Sequence, residues 1–180
     1  MDKARPELAH LGIFVWDLAA MERFYSEVFG LVVTDRGVGA VFRNDLVFMT
    51  GNADQHHQLV LASGRQPDAP STVMQISFKV KTLAELRALR DGAITAGASD
   101  VLGLNHGNAW SVYFNDPEGN RIEIYLDTPF HTPQPCGHPL RIEASESDLL
   151  EETRVLVAGL TGSKPRQDYV NEMDGRLRGL

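Results

Sequence analysis

The strongest constraint on the fold is an internal repeat. His10 and Gln75, Val15 and Val80, and Leu18 and Leu83 are each 65 residues apart. The spacing returns where Val47-Phe48 matches Val112-Tyr113 and Gln58-Leu59-Val60-Leu61 matches Glu123-Ile124-Tyr125-Leu126. Between those points it slips by about two residues, since Gly30 pairs best with Gly97, and a change of turn length absorbs such a slip. Recurrence of this kind marks one supersecondary unit used twice, each copy unable to cover its apolar face alone.

Each copy reads as βαβββ. In the first, Leu8 to Val15 is a strand and Asp17 caps a helix carrying Leu18, Met21, Phe24, Tyr25 and Val28 on one face, which Gly30 ends. Short strands follow at Leu31 to Thr34, Ala40 to Phe42, Leu46 to Met49 and His57 to Ala62. In the second, Val73 to Val80 is a strand, Thr82-Leu83-Ala84-Glu85 has the form of a capping box, and Gly97 ends the helix it opens. Strands near Ser99 to Leu102, Trp110 to Phe114 and Arg121 to Leu126 complete it, with Asn115 to Asn120 as a turn between the last two. The fold class is therefore α+β: two tandem βαβββ modules, 1–64 and 73–129, joined by a Gly/Pro/Ser-rich linker at 65–72 and building a cupped mixed sheet. Beyond them, 130–180 begins as a Pro-rich extended arm and continues as two helices, Ser145 to Leu160 and Arg166 to Leu177.

A formal charge of -7 makes nucleic acid and anionic membrane surfaces poor default partners. The single cysteine, Cys136, excludes an intrachain disulfide and reads as an inert thiol. With no basic-then-apolar start and no apolar run of spanning length, the expected location is the cytoplasm.

Side chains alternate along a strand, so Ile122, Ile124 and Leu126 cover the helices and Glu123 points to the concave side. By the repeat Gln58 does the same, and two polar pairs result, His10 with Gln58 and Gln75 with Glu123, each 48 residues apart. Imidazole and carboxylate are good ligands for Fe(II), Mn(II), Zn(II) or Ni(II), and an amide oxygen is a weaker one. His10, Gln75 and Glu123 are thus the candidate metal ligands. Of the adjacent histidines, the same alternation puts His56 on the cup face as a candidate acid/base and His57 on the apolar face. His131 and His138 read as solvated arm residues.

The segments HLGIFVWDLAAMERFYSEVFGLVV, QISFKVKTLAELRALRDGAITAGA and HGNAWSVYFNDPEGNRIEIYLDTP resemble the vicinal oxygen chelate superfamily, which contains glyoxalase I, bleomycin-resistance proteins and type I extradiol dioxygenases. The resemblance covers residues 8 to 129 and is closest to the extradiol dioxygenase branch. It implies His10 and Glu123 as metal ligands, with the D-P-x-G-N turn delivering Glu123, Tyr113 as a contact to a bound catechol, and His106 as a polar residue nearby. A small aromatic or vicinal-oxygen substrate, a divalent metal (Fe(II) first) and a homodimer are implied with it. Gln75 departs from the branch, which has histidine there, although glyoxalase I relatives use glutamine as a ligand. Glyoxalases supply a further carboxylate where Gln58 stands, so the lyase or isomerase alternative lacks its base. A metal-free ligand-binding protein of the bleomycin-resistance type is the other alternative.

Overall fold

The structure, a computed structural model, describes residues 4–179, so Met1 to Lys3 of the first module and Leu180 of the tail lie outside the described residues. Its first sheet holds β1 (Leu11–Val15), β2 (Val32–Val38), β3 (Asp45–Thr50) and β4 (Leu59–Ser63) in the order β1-β4-β3-β2, with α1 (Leu18–Phe29) between β1 and β2. Its second holds β5 (Ile76–Lys79), β6 (Ser99–Asn105), β7 (Ala109–Asn115) and β8 (Arg121–Asp127), with α2 (Leu83–Thr95) after β5. In both, the first strand lies parallel beside the last, and the other pairings are antiparallel. This is the tandem βαβββ α+β fold expected from the repeat.

Local sequence sets the helix ends. Asp17 accepts the Ala20 N–H at the start of α1, and Gly30 closes it in the left-handed region at φ 64°, where a side chain would be strained. The capping box of α2 is complete: Thr82 accepts from the Glu85 N–H, and the Glu85 carboxylate accepts from the Thr82 N–H.

The strand ends differ in ways that matter for the site. β1 begins at Leu11, leaving Leu8 to His10 as exposed chain, and Ala40 to Phe42 form a turn instead of a strand. β4 begins at Leu59, so His56 and His57 precede it and the alternation argument does not reach them. The register of the last strand also shifts. Leu11 pairs with Leu59, whereas Ile76 pairs with Ile122, and β8 is displaced by the same two residues against β7. The Asp116–Asn120 turn is shorter than the Gly51–Gln58 connection, and the strand feeds in earlier. A two-residue shift keeps the faces but changes the partners. The structural counterpart of Glu123 is consequently Val60, beside Gly12, and Glu123 itself lies beside Ser77.

One hydrophobic core holds the helix-facing residues of both sheets, among them Ile13, Leu61, Ile122 and Ile124, with Met21, Phe24 and Leu86 from the helices. Phe29 of α1 stacks on Phe78 of β5 at 3.9 Å, tying the modules together. Both open faces therefore turn away from that core, to the same side. The edges β1 and β5 flank a seam. At one end Leu8 to Leu11 and Ile76 to Phe78 line a cleft of about 380 Å³, and at the other Gly12 to Phe14 lie with Ser71 to Val73, so the edges run in opposite directions.

The 116–120 turn also fastens the modules. Glu118 accepts from the Trp16 and Asp17 N–H groups at the head of α1, and Asp116 accepts from Tyr25 Oη–H of the same helix. The tail packs on the second sheet through α3 (Glu146–Ala158), from which Thr153 accepts from Trp110 Nε1 and Asn105 Nδ2. Two short strands of the arm, β9 (Phe130–His131) and β10 (His138–Pro139), precede that helix; β10 extends the second sheet beside β6, and β9 pairs with β11 (Lys164–Pro165), which leads into α4 (Arg166–Arg178). No helix among the described residues is long and apolar enough to cross a membrane.

Candidate functional site

Glu123 sits between Ile122 and Ile124, both fully buried in the core, and so presents its carboxylate to the open face of β8, where it remains only 8% exposed. Three neutral donors meet it. Tyr113 Oη on β7 donates to Oε1 at 2.6 Å, while Ser77 Oγ at 2.6 Å and Gln75 Nε2 at 2.9 Å donate to Oε2. His106, in the β6–β7 turn, places Nε2 3.0 Å from Tyr113 Oη and turns Nδ1 to the carbonyl of Cys136. His106, Tyr113, Glu123 and Gln75 thus form a single hydrogen-bonded chain.

Proton counting fixes some of its chemistry. A carbonyl only accepts, so His106 carries its proton at Nδ1 in the neutral form and Nε2 is then an acceptor. Tyr113 has one proton and two acceptors, Glu123 and that nitrogen. Burial, together with the hydrogen bond and charge of Glu123, raises the Tyr113 phenol well above its ordinary value, so it stays protonated and acts as a donor. On the same face, Ser111 Oγ is buried with no hydrogen-bond partner among the described residues.

The first-module candidates lie across the seam. His10 and Gln58 line the same cleft as Ser77, whose hydroxyl reaches Glu123. Gln58 spends its Oε1 on the Gly51 N–H at 3.0 Å. His10 places its ring 4.3 Å from that of His57, and His57 also packs on Phe48 at 5.1 Å. Burial and the neighbouring His10 and His56 lower the His57 pKa, which favours the neutral ring. His56 is not brought to Glu123: its Nε2 lies 2.7 Å from Asp35 Oδ2 on β2, with the side chain 57% exposed. It is therefore His57, not His56, that faces His10, the reverse of what strand alternation assigned. In the arm, His131 stacks on Tyr169 of α4 at 3.7 Å, and Cys136 has its thiol pKa raised by burial.

A divalent cation here would find one charged oxygen donor, the Glu123 carboxylate. Among the described residues no Lys, Arg or His nitrogen forms an ion pair with Glu123, and a buried carboxylate held only by neutral donors retains an uncompensated charge. Gln75 turns its amide nitrogen to Glu123; as a ligand it would present the carbonyl oxygen instead. No group of three or more His, Cys, Asp or Glu side chains of metal-binding geometry occurs among the described residues, so a shell here draws on the Gln75 amide. Ser77 was missed in the sequence, although it lies two residues beyond Gln75, which immediately precedes β5. Gln134 and the Cys136 carbonyl, which hold His106, were not foreseeable from local pattern.

The sequence profile of the glyoxalase/bleomycin resistance protein/dioxygenase superfamily matches residues 7–124. The chain belongs to this superfamily. Within it, the chain is 30% identical over 139 residues to biphenyl-2,3-diol 1,2-dioxygenase 3 of Rhodococcus globerulus, covering 72% of this chain and 67% of that protein. Biphenyl-2,3-diol 1,2-dioxygenase 2 of the same organism is 27% identical over 136 residues, with the same coverage. Among solved structures, a glyoxalase/bleomycin resistance protein/dioxygenase domain from Frankia sp. EAN1pec superposes with a TM-score of 0.57 at 20% identity, over 69% of this chain and all of that one. The fosfomycin resistance protein FosX of Listeria monocytogenes gives 0.56 at 17% identity, over 69% and 96%. At such identity these two structures show the superfamily's fold alone.

Proposed function

We propose that the protein is a metal-dependent dioxygenase that opens the ring of a catechol-type substrate held through its two adjacent oxygens. The observation that carries this reading is the buried, cation-free Glu123 carboxylate joined through Tyr113 to His106. The similarity to two biphenyl-2,3-diol dioxygenases supports the substrate class.

In this reading Glu123, His10 and Gln75 hold the divalent ion, with Fe(II) first and Mn(II), Zn(II) or Ni(II) also suited to such a set. When bound, the ion draws the vicinal oxygens and lowers their pKa. The chain's own groups do the rest. Tyr113, kept protonated, donates a hydrogen bond to a substrate oxygen that enters beside Glu123. When the hydroxyl turns to accept a proton from that oxygen instead, its own proton passes to His106 Nε2, which the Nδ1–H leaves free to receive it. Phe48, on the open face of the first sheet and packed on His57, supplies apolar surface suited to an aromatic ring. A lyase or isomerase would need a second base near the substrate carbon, and Val60 stands at the position equivalent to Glu123.

The test is metal analysis of chain purified without chelator, followed by oxygen uptake with catechol and biphenyl-2,3-diol. Retention of about one ion per chain, oxygen consumption with ring-opened product, and loss of both in Glu123→Gln are expected. Metal-free protein that binds the diol unchanged points instead to a ligand-binding protein and overturns the proposal.

A further inference from the structure

The superfamily match ends at residue 124, and the Pro-rich arm lies beyond it. It is built around the turn that carries His106. Thr128 Oγ1 donates to the Gly107 carbonyl at 2.6 Å, and the Thr128 N–H donates to the Asn108 carbonyl at 3.0 Å. Gly107 has φ +75°, and a methyl group there would come within 2.5 Å of Thr132 Cγ2, so the arm lies directly on the turn. Gln134 then makes two opposed attachments. Its Nε2 donates to the His106 carbonyl at 2.9 Å and to Asn108 Oδ1 at 3.2 Å, and its Oε1 accepts from the Cys136 N–H at 2.9 Å. Cys136 is the residue whose carbonyl receives His106 Nδ1–H.

We infer that Gln134 is a positioning residue for His106, and that the arm sets the ring's orientation and proton location in the active site. One side chain grips the backbone under the histidine and the backbone that holds its ring. The ring cannot turn about χ2 without leaving the Cys136 carbonyl, and Gln134 anchors the N–H of that same residue. Nε2 is thereby kept facing Tyr113, the orientation in which it can accept a proton. The arrangement has the logic by which an outer partner fixes the tautomer of a working histidine. Gln134 itself is exposed, so its replacement leaves the core intact.

The activity arm of the test rests on the dioxygenase reading; the spectroscopic arm does not. In full-length chain labelled with ¹⁵N, the His106 ring nitrogens are read in wild type, Gln134→Ala and Gln134→Glu. Wild type should show a protonated Nδ1 and an unprotonated Nε2. Gln134→Ala should move both nitrogens toward a common averaged position. Gln134→Glu keeps the acceptor for the Cys136 N–H but loses the donors to His106 and Asn108, and should lie between the two. In turnover of a catechol, kcat should fall between about 10- and 100-fold in Gln134→Ala with KM little changed, an effect that vanishes when His106 is already alanine. Unchanged His106 nitrogens in Gln134→Ala would overturn the inference, whatever the activity. Absence of ring opening in wild type, with those nitrogens shifted as described in the variants, would remove the dioxygenase reading and leave the positioning role standing.

Discussion

At Tyr113 a single hydroxyl joins the two halves of the polar chain, so its removal reads out both structure and chemistry. Tyr113→Phe leaves Glu123 Oε1 without its 2.6 Å donor and His106 Nε2 without a partner. A buried acceptor so stripped costs about 1 to 3 kcal/mol, measurable as a lowered urea midpoint. Under the proposed dioxygenase reading, loss of a positioned donor and proton path should reduce kcat by about 10²-fold. A variant as active as wild type would remove Tyr113 from the chemistry. Glu123 and Tyr113 were legible in the sequence because each sits on a regular strand whose flanking apolar residues settle its face. His56 was not, because a bend precedes β4 and a side chain on a bend has no period to read.

At the scale of elements, local chemistry was legible where it is self-contained. The Thr82-to-Glu85 box opens α2 one residue after its N-cap, as the four-residue pattern requires. Thr82→Ala should lower stability by about 1 kcal/mol, seen as a shifted midpoint in chemical denaturation with an unchanged slope. An unchanged midpoint would mean that α2 is held by its packed face of Leu83 and Leu86 alone. Register was less legible. A shift of two residues in β8 preserves every inward and outward assignment, so the hydrophobic pattern cannot detect it, and only the paired backbone reveals that Glu123 neighbours Ser77. The same limit applies to the tail. Its helices show their period, but the contacts through which Gln134 grips the His106 turn join residues about 28 apart without any repeating pattern.

At the scale of the whole molecule, the repeat foretold two modules but not what fastens them. The fastening is the turn from Asp116 to Asn120, whose carboxylates leave the second module and end on α1 of the first. Asp116 accepts from Tyr25 Oη–H at 3.0 Å, the Glu118 and Asn120 N–H groups and Asn120 Nδ2. Glu118 accepts from Trp16 and Asp17, with Arg65 at 3.7 Å. Burial nevertheless outweighs these donors, and both carboxyls are raised above their ordinary values. The folded joint therefore binds protons that the unfolded chain would release. Its contribution is present in full below the ordinary carboxylate range and is lost as pH rises through the raised values. Asp116→Asn removes one of the two titrations. The difference in urea midpoint between wild type and Asp116→Asn should accordingly move against wild type from ~pH 3 to ~pH 7, because only wild type loses this proton-linked stability on the way up. A difference that stays constant across that interval would show that the four donors fully offset burial at Asp116. The joint would then hold the two modules with the same strength at every pH, and the seam between β1 and β5 that brings His10 toward Ser77 would not depend on it.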